Sequence, residues 1–332
     1  MPLEQLLKAH QPVKSSIDAM KAINIAKATT TIKIAAINAR STYLFGKDKT
    51  ARVSDIKQGG IGDCWFLASL AGVVQKNPEL IYKNIKAMGN GDFQVTLYEY
   101  FSHKPVIITV TDDDLNQSYL EYIGIGTSPQ QYAHKTDGNW VGIYETAMAK
   151  YFHENKFGIY FPIQTPTSIT DKDYIPSPQI TPIMDYNSRN SKSEKQFGNW
   201  AEMGGSHSEI ALSVITGEQS TTRGKDESGS FFTKNINLSN DIFTASTLRN
   251  PGGNGDVGTI IAGKNATGND VILYYEHAYN IVEINNDSVK LYNPHGNNPN
   301  LGRELTGDGY IWITKQQFDE NFRQISTTHK SI

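Results

Sequence analysis

The chain has one cysteine, Cys64, in 332 residues. A lone thiol excludes an intrachain disulfide, and it excludes zinc sites and iron–sulfur clusters built from two or more thiolates. Basic and acidic residues nearly balance, 31 against 34, for a net charge of −3. That balance lacks the basic excess of a nucleic-acid binder, so no nucleic-acid partner is expected. No run of about 18 apolar residues exists, so no membrane span is expected. The opening MPLEQLLKAHQPVKSS lacks the apolar core of a secretory signal. The expectation is a cytoplasmic protein, or one exported without a signal of that kind.

Length allows about two domains or one large one. Apolar spacing in residues 1–50 suggests one or two amphipathic helices, and Thr29 to Ile37 is β-branched and strand-like. The loop QGGIGD (58–63) leads into CWFLASLAGVVQK, which reads as a buried helix because its apolar residues cover most of its circumference. Asn77-Pro78 ends that helix and starts a second, PELIYKNI. FQVTLYEYF and PVIITV alternate as strands, and WVGIYETAMAKYFHEN reads as a helix with Ile143, Ala147, Met148 and Tyr151 on one face. Residues 162–200 and 216–230 have loop composition. After residue 256 come strands: GTIIAG, VILYYEHAYNIVEI, SVKLYNP and GYIWIT. A helix-rich front and a strand-rich back make an α+β pattern.

A lone cysteine is ordinarily a small buried hydrophobe. Cys64 differs because it follows a glycine-rich loop and opens a helix. Free N–H groups and the positive end of the helix dipole favour its thiolate and make it a candidate nucleophile. Gln58, six residues earlier, can aim its side-chain NH₂ at the same place and, with the Cys64 N–H, form an oxyanion hole. Such a nucleophile needs an imidazole and a group to orient it. Of eight histidines, His10, His103, His134, His153 and His207 lie in polar or loop-like stretches and His329 in the tail. His277 stands near a strand start, and Asn293 follows the strand SVKLY. Other signals are weak. The Gly253–Gly255–Gly258 spacing has no preceding strand. DDDLNQSYLEYI carries Gln117 and Ile123 where an EF-hand loop needs glycine and glutamate.

DIKQGGIGDCWFLASLA resembles the catalytic loop and helix of the calpain family of papain-like cysteine proteases. HAYNIVEI resembles its histidine strand and LYNPHG its asparagine motif. NWVGIYETAMAKYF, EMGGSHSEIALSVITG and GDGYIWITKQQFDENF resemble further family segments, so the likeness runs from about residue 42 to residue 325. It implies an α+β, papain-like, two-lobed protease core. Residues 1–41 would be an N-terminal arm or an inhibitory prosegment. Residues 42–215 would form a helical lobe carrying the nucleophile, and 216–332 a β-rich lobe carrying the histidine and asparagine. It implies a cysteine-type endopeptidase acting on a protein or peptide substrate through a thioester acyl-enzyme. Cys64 would be the nucleophile, held as a thiolate–imidazolium pair by His277. Asn293 would orient the imidazole and Gln58 would bind the oxyanion.

Two departures stand out. His295 replaces the tryptophan that shields the His–Asn bond in the family, and Glu276 replaces the glycine before the histidine. They raise the alternative of a catalytically impaired binding or regulatory module. Asp55 and Glu145 match two carboxylates of the family's first calcium site, while the second site has only Asp308. The expectation is that no cofactor is required and that calcium dependence is weak or absent.

Overall fold

The computed structural model describes residues 44–59, 62–88, 91–111, 114–115, 138–155, 206–232, 236–251, 258–265, 268–299 and 307–328. The expected N-terminal arm (1–41), the strand-like stretch at 29–37 and the polar segment 162–200 lie outside them.

A 3₁₀ turn at Val53–Asp55 precedes the first helix, α1, Cys64–Lys76. Every α1 residue from Cys64 to Val74 is buried. That fits a sequence apolar on all sides of the helix. Asn77 closes α1, and Pro78 takes the first helical position of α2, Pro78–Asn84, where its missing N–H costs nothing. β1 (Ile85–Ala87), β2 (Phe93–Tyr98) and β3 (Pro105–Val110) form an antiparallel sheet. β2 alternates buried and half-buried residues, the pattern of a strand with one face on a core. α3 spans Trp140–Asn155, and its expected face of Ile143, Ala147, Met148 and Tyr151 is fully buried. α4 spans Ser208–Thr216.

The remaining strands are β4 (Thr221–Arg223), β5 (Phe243–Thr247), β6 (Thr259–Lys264), β7 (Asp270–Tyr274), β8 (Ala278–Ile284), β9 (Ser288–Tyr292), β10 (Tyr310–Thr314) and β11 (Phe322–Thr327). A short helix, α5 (Lys315–Asn321), separates the last two; a capping box between Thr314 and Gln317 starts it. Six strands form an antiparallel sheet in the order β10-β9-β8-β5-β11-β4, and β6 pairs with β7.

Two apolar clusters fill the structure. One gathers α1, α2, α3, α4 and the first sheet, with Ile242, Ala278 and Tyr292 reaching it from the C-terminal half. The other lies among β5 to β11 and includes Phe231, Tyr279, Phe318 and Phe322. α1 packs on α4 along one side and on β8 along another. Gln75 fastens the second contact: its Oε1 accepts from Asn280 Nδ2 at 2.7 Å and its Nε2 donates to the Val282 carbonyl at 3.0 Å. Gly72 makes the close approach feasible, since a Cβ there would lie 2.4 Å from Ile242 Cγ2 and 2.9 Å from Asn280 Oδ1.

VILYYE and AYNIVEI, on either side of His277, give β7 and β8; the chain breaks between them at Tyr275–His277, and they belong to different sheets. Glu276 has φ +50°, an uncommon conformation outside glycine. The break is held from β5. Thr247 Oγ1 donates to the Tyr274 carbonyl at 2.7 Å and accepts the His277 N–H at 3.0 Å, while Thr247 N–H donates to the His277 carbonyl at 3.0 Å.

Candidate active site

Cys64 is the first residue of α1 and retains 8% exposure. Its sulfur accepts a hydrogen bond from the backbone N–H of Ala278, the residue after His277. That bond brings the thiol of the N-terminal half against the start of β8. The helix start was expected to favour the thiolate. Burial opposes it: desolvation pushes the thiol up to about 11, the Ala278 N–H pulls it back in part, and the neighbouring Asp63 adds a smaller upward push.

His277 is 4% exposed, and its Nε2 lies 2.8 Å from Asn293 Oδ1. Asn293 is fully buried at the end of β9. Its amide orientation is fixed twice: Nδ2 donates to the Asn297 carbonyl at 2.8 Å, and Oδ1 accepts the His295 N–H at 3.1 Å. An amide oxygen cannot donate, so His277 Nε2 carries the proton and, in the neutral ring, Nδ1 is left with its lone pair. Burial pushes the imidazole down to about 3; His295 adds to that and the Asn293 bond opposes it. Burial thus works against the charged form of both the thiol and the imidazole.

The turn after β9 is built for this placement. Asn293 N–H donates to the Gly309 carbonyl at 2.8 Å, and Gly296 N–H donates to the Asn293 carbonyl at 2.8 Å. Gly309 has φ +83°, and a Cβ there would sit 2.9 Å from the Tyr292 ring and 3.1 Å from the Asn293 carbonyl oxygen. Gln58 is buried, and its backbone N–H donates to the Pro294 carbonyl at 2.7 Å. Tyr292 OH donates to the Ile56 carbonyl at 2.8 Å. The Gln58 segment is thus pinned to the Asn293 turn, more than two hundred residues away in sequence.

The acidic residues have other partners than a metal. Asp55 Oδ2 accepts from Trp140 Nε1 at 2.9 Å and from the Arg52 N–H at 2.9 Å. Glu145 is fully buried and hydrogen-bonds Asp63, which is fully buried as well. Burial raises the Asp63 carboxyl and the Glu145 bond lowers it. Among the described residues no group of three or more His, Cys, Asp or Glu side chains could hold a metal ion.

His207, read as loop-like, is buried at the start of α4, and desolvation with the nearby charges of Arg323 and Arg249 pushes it down to about 4. Of the glycine-rich spacing only Gly258 is described, and a strand follows it rather than a helix. The sequence offered no sign of Thr247, whose place in FTAST looks like any strand threonine, nor of the Asp63–Glu145 pairing across 82 residues of chain.

Helices and antiparallel sheets make this an α+β protein; His277 and Asn293 form a buried imidazole–amide pair, and the N–H of the next residue, Ala278, meets the Cys64 sulfur. Residues 14–157, fewer than half of the chain, match the model of the calpain family cysteine protease. That stretch is calpain-like thiol-protease sequence, and it contains Gln58, Cys64 and Glu145 but ends before His277 and Asn293. No curated protein matches the chain. No helix among the described residues is long and apolar enough to cross a membrane.

Proposed function

We propose that the chain is a papain-like, two-lobed cysteine endopeptidase that hydrolyses peptide bonds through Cys64, His277 and Asn293, with Gln58 binding the oxyanion. The observation that carries the reading is the 2.8 Å bond between His277 Nε2 and Asn293 Oδ1, with the next backbone N–H on the Cys64 sulfur. His277 Nδ1 takes the thiol proton as Cys64 Sγ attacks the scissile carbonyl carbon. The carbonyl oxygen becomes the oxyanion, held by the Gln58 side-chain amide and the Cys64 N–H. Collapse breaks the C–N bond, the amine leaves with the proton from His277, and a thioester remains. Water then attacks the thioester with His277 as base, releasing the acid and restoring the thiol. Asn293 keeps the imidazole in the tautomer that both steps need.

The substrate class is protein or peptide. No step is routed through calcium. The segment 1–41 is proposed as an arm or inhibitory prosegment; its removal would then raise turnover.

The test is digestion of an unfolded protein by the full chain and by Cys64→Ala, with products sequenced by mass spectrometry. The reading predicts internal cleavages by the wild type that Cys64→Ala lacks. Cleavage that survives Cys64→Ala, or none by the wild type with and without calcium, would overturn it.

A further inference from the structure

The ring of His295 lies parallel to that of His277, with centroids 4.9 Å apart and planes 6° apart. Tyr274 meets both rings edge-on at 5.4 Å. Tyr279 closes the other side of His277 at 4.9 Å. His295 is half-buried and His277 buried, so His295 and Tyr274 form the layer between the His277–Asn293 bond and solvent. The backbone of His295 belongs to the same device, since its N–H donates to the Asn293 oxygen that receives the His277 proton.

We infer that His295 is a positioning residue with a second effect: its stacked ring holds and covers the His277 imidazole, and a proton on His295 opposes the positive charge His277 must take up when Cys64 attacks. The inference rests on the proposed cysteine-protease reading.

The physical argument is direct. His277 gains a unit charge as it takes the thiol proton. A second unit charge 4.9 Å away, at an effective dielectric of about 20, changes such a protonation by roughly two to three orders of magnitude. The His295 ring is half-exposed, so solvent reduces this to at least about tenfold. The depressed proton affinity of His277 already includes a contribution from His295. The remaining groups around the pair do not supply a compensating anion. Tyr274 and Tyr279 are both held protonated by burial, and Asn293 is neutral. The Cys64 thiol is held protonated as well. Glu276, which precedes His277, is exposed, and Lys57, beside Gly296, is a further cation.

The test is the rate of Cys64 alkylation by iodoacetamide from pH 5 to 8, read by intact mass. It compares wild type, His295→Phe, which keeps a ring without the ionisation, His295→Gln, which loses the ring, and His277→Ala. Thermal melts check folding of each. The expected result is that His295→Phe matches wild type near pH 8 and labels at least about tenfold faster at pH 5, moving the acid limb down by about one unit. His295→Gln should label several-fold more slowly at pH 8. A His295→Phe profile superimposable on wild type overturns the inference while the protease reading stands, provided His277→Ala still slows labelling. Labelling indifferent to His277 overturns both. If His295→Phe melts early, the relative pH profile of its folded fraction still decides, because a purely structural defect scales all rates and leaves the limb in place.

Discussion

Gly72→Ala tests how the helix that carries Cys64 and the strand that follows His277 are held together. Gly72 lies inside α1, where alanine is favoured over glycine by roughly 0.5–1 kcal/mol. Helix propensity alone therefore predicts stabilisation. The structure predicts the reverse. The new Cβ would sit 2.4 Å from Ile242 Cγ2 and 2.9 Å from Asn280 Oδ1, both on or beside the sheet that carries His277. Overpacking of this kind costs about 1–3 kcal/mol. Moving Asn280 also weakens its 2.7 Å bond to Gln75, worth another ~1 kcal/mol. The net expectation is about 1–3 kcal/mol of destabilisation, which lowers the melting temperature of a chain this size by a few degrees. Gly142→Ala in α3 is the control. Its Cβ would meet only Asn139 Oδ1, at 3.5 Å, so the same change should leave stability equal or raise it by up to ~1 kcal/mol. Because α1 is wedged away from β8, Gly72→Ala should also slow Cys64 alkylation while Gly142→Ala does not. Melts by circular dichroism and labelling by intact mass read both effects. A melting temperature that rises in both variants would refute the close-packing argument.

Two other expectations follow from the site. Asn293→Ala removes the 2.8 Å acceptor of His277 and leaves a buried ring N–H without a partner, a cost of about 1–3 kcal/mol; peptidase kcat should fall at least tenfold with KM little changed. His277 and His207 are pushed down to about 3 and about 4, so the unfolded chain binds more protons than the folded one below pH 6.5. Stability is then fully present above pH 6.5 and falls as pH drops toward 4, by up to about 1.4 kcal/mol per pH unit for each residue. Asp63, raised by burial, has the opposite sign and offsets part of the loss. Chemical denaturation at pH 4.5, 5.5 and 7 checks the slope, and His277→Gln should flatten it; a stability that does not fall on acidification would contradict the burial of these rings.

Local signals carried much of the fold. The all-round apolar surface of α1, the Asn77-Pro78 break and the Ile143–Tyr151 face are short-range patterns, and each gives the element found. The strand start beside His277 was legible as well, but not what holds the break between β7 and β8: Thr247, about thirty residues upstream, clamps both sides of Glu276. The same holds for Cys64. The dipole argument for a thiolate is local, whereas the desolvation that opposes it comes from tertiary burial of the start of α1. Asp55 and Glu145 show a third case: residue type alone does not reveal that Trp140 and Asp63 are their partners in the folded chain.

The central claim is that His277 serves Cys64 as its base. The measurement that tests it most directly is Cys64 alkylation at pH 7 for wild type and His277→Ala, each with calcium and with chelator, followed by intact mass. The account predicts that His277→Ala slows labelling at least tenfold and that calcium and chelator give the same rates. Labelling that is indifferent to His277, and that rises only above about pH 8 as an ordinary thiol does, would contradict it.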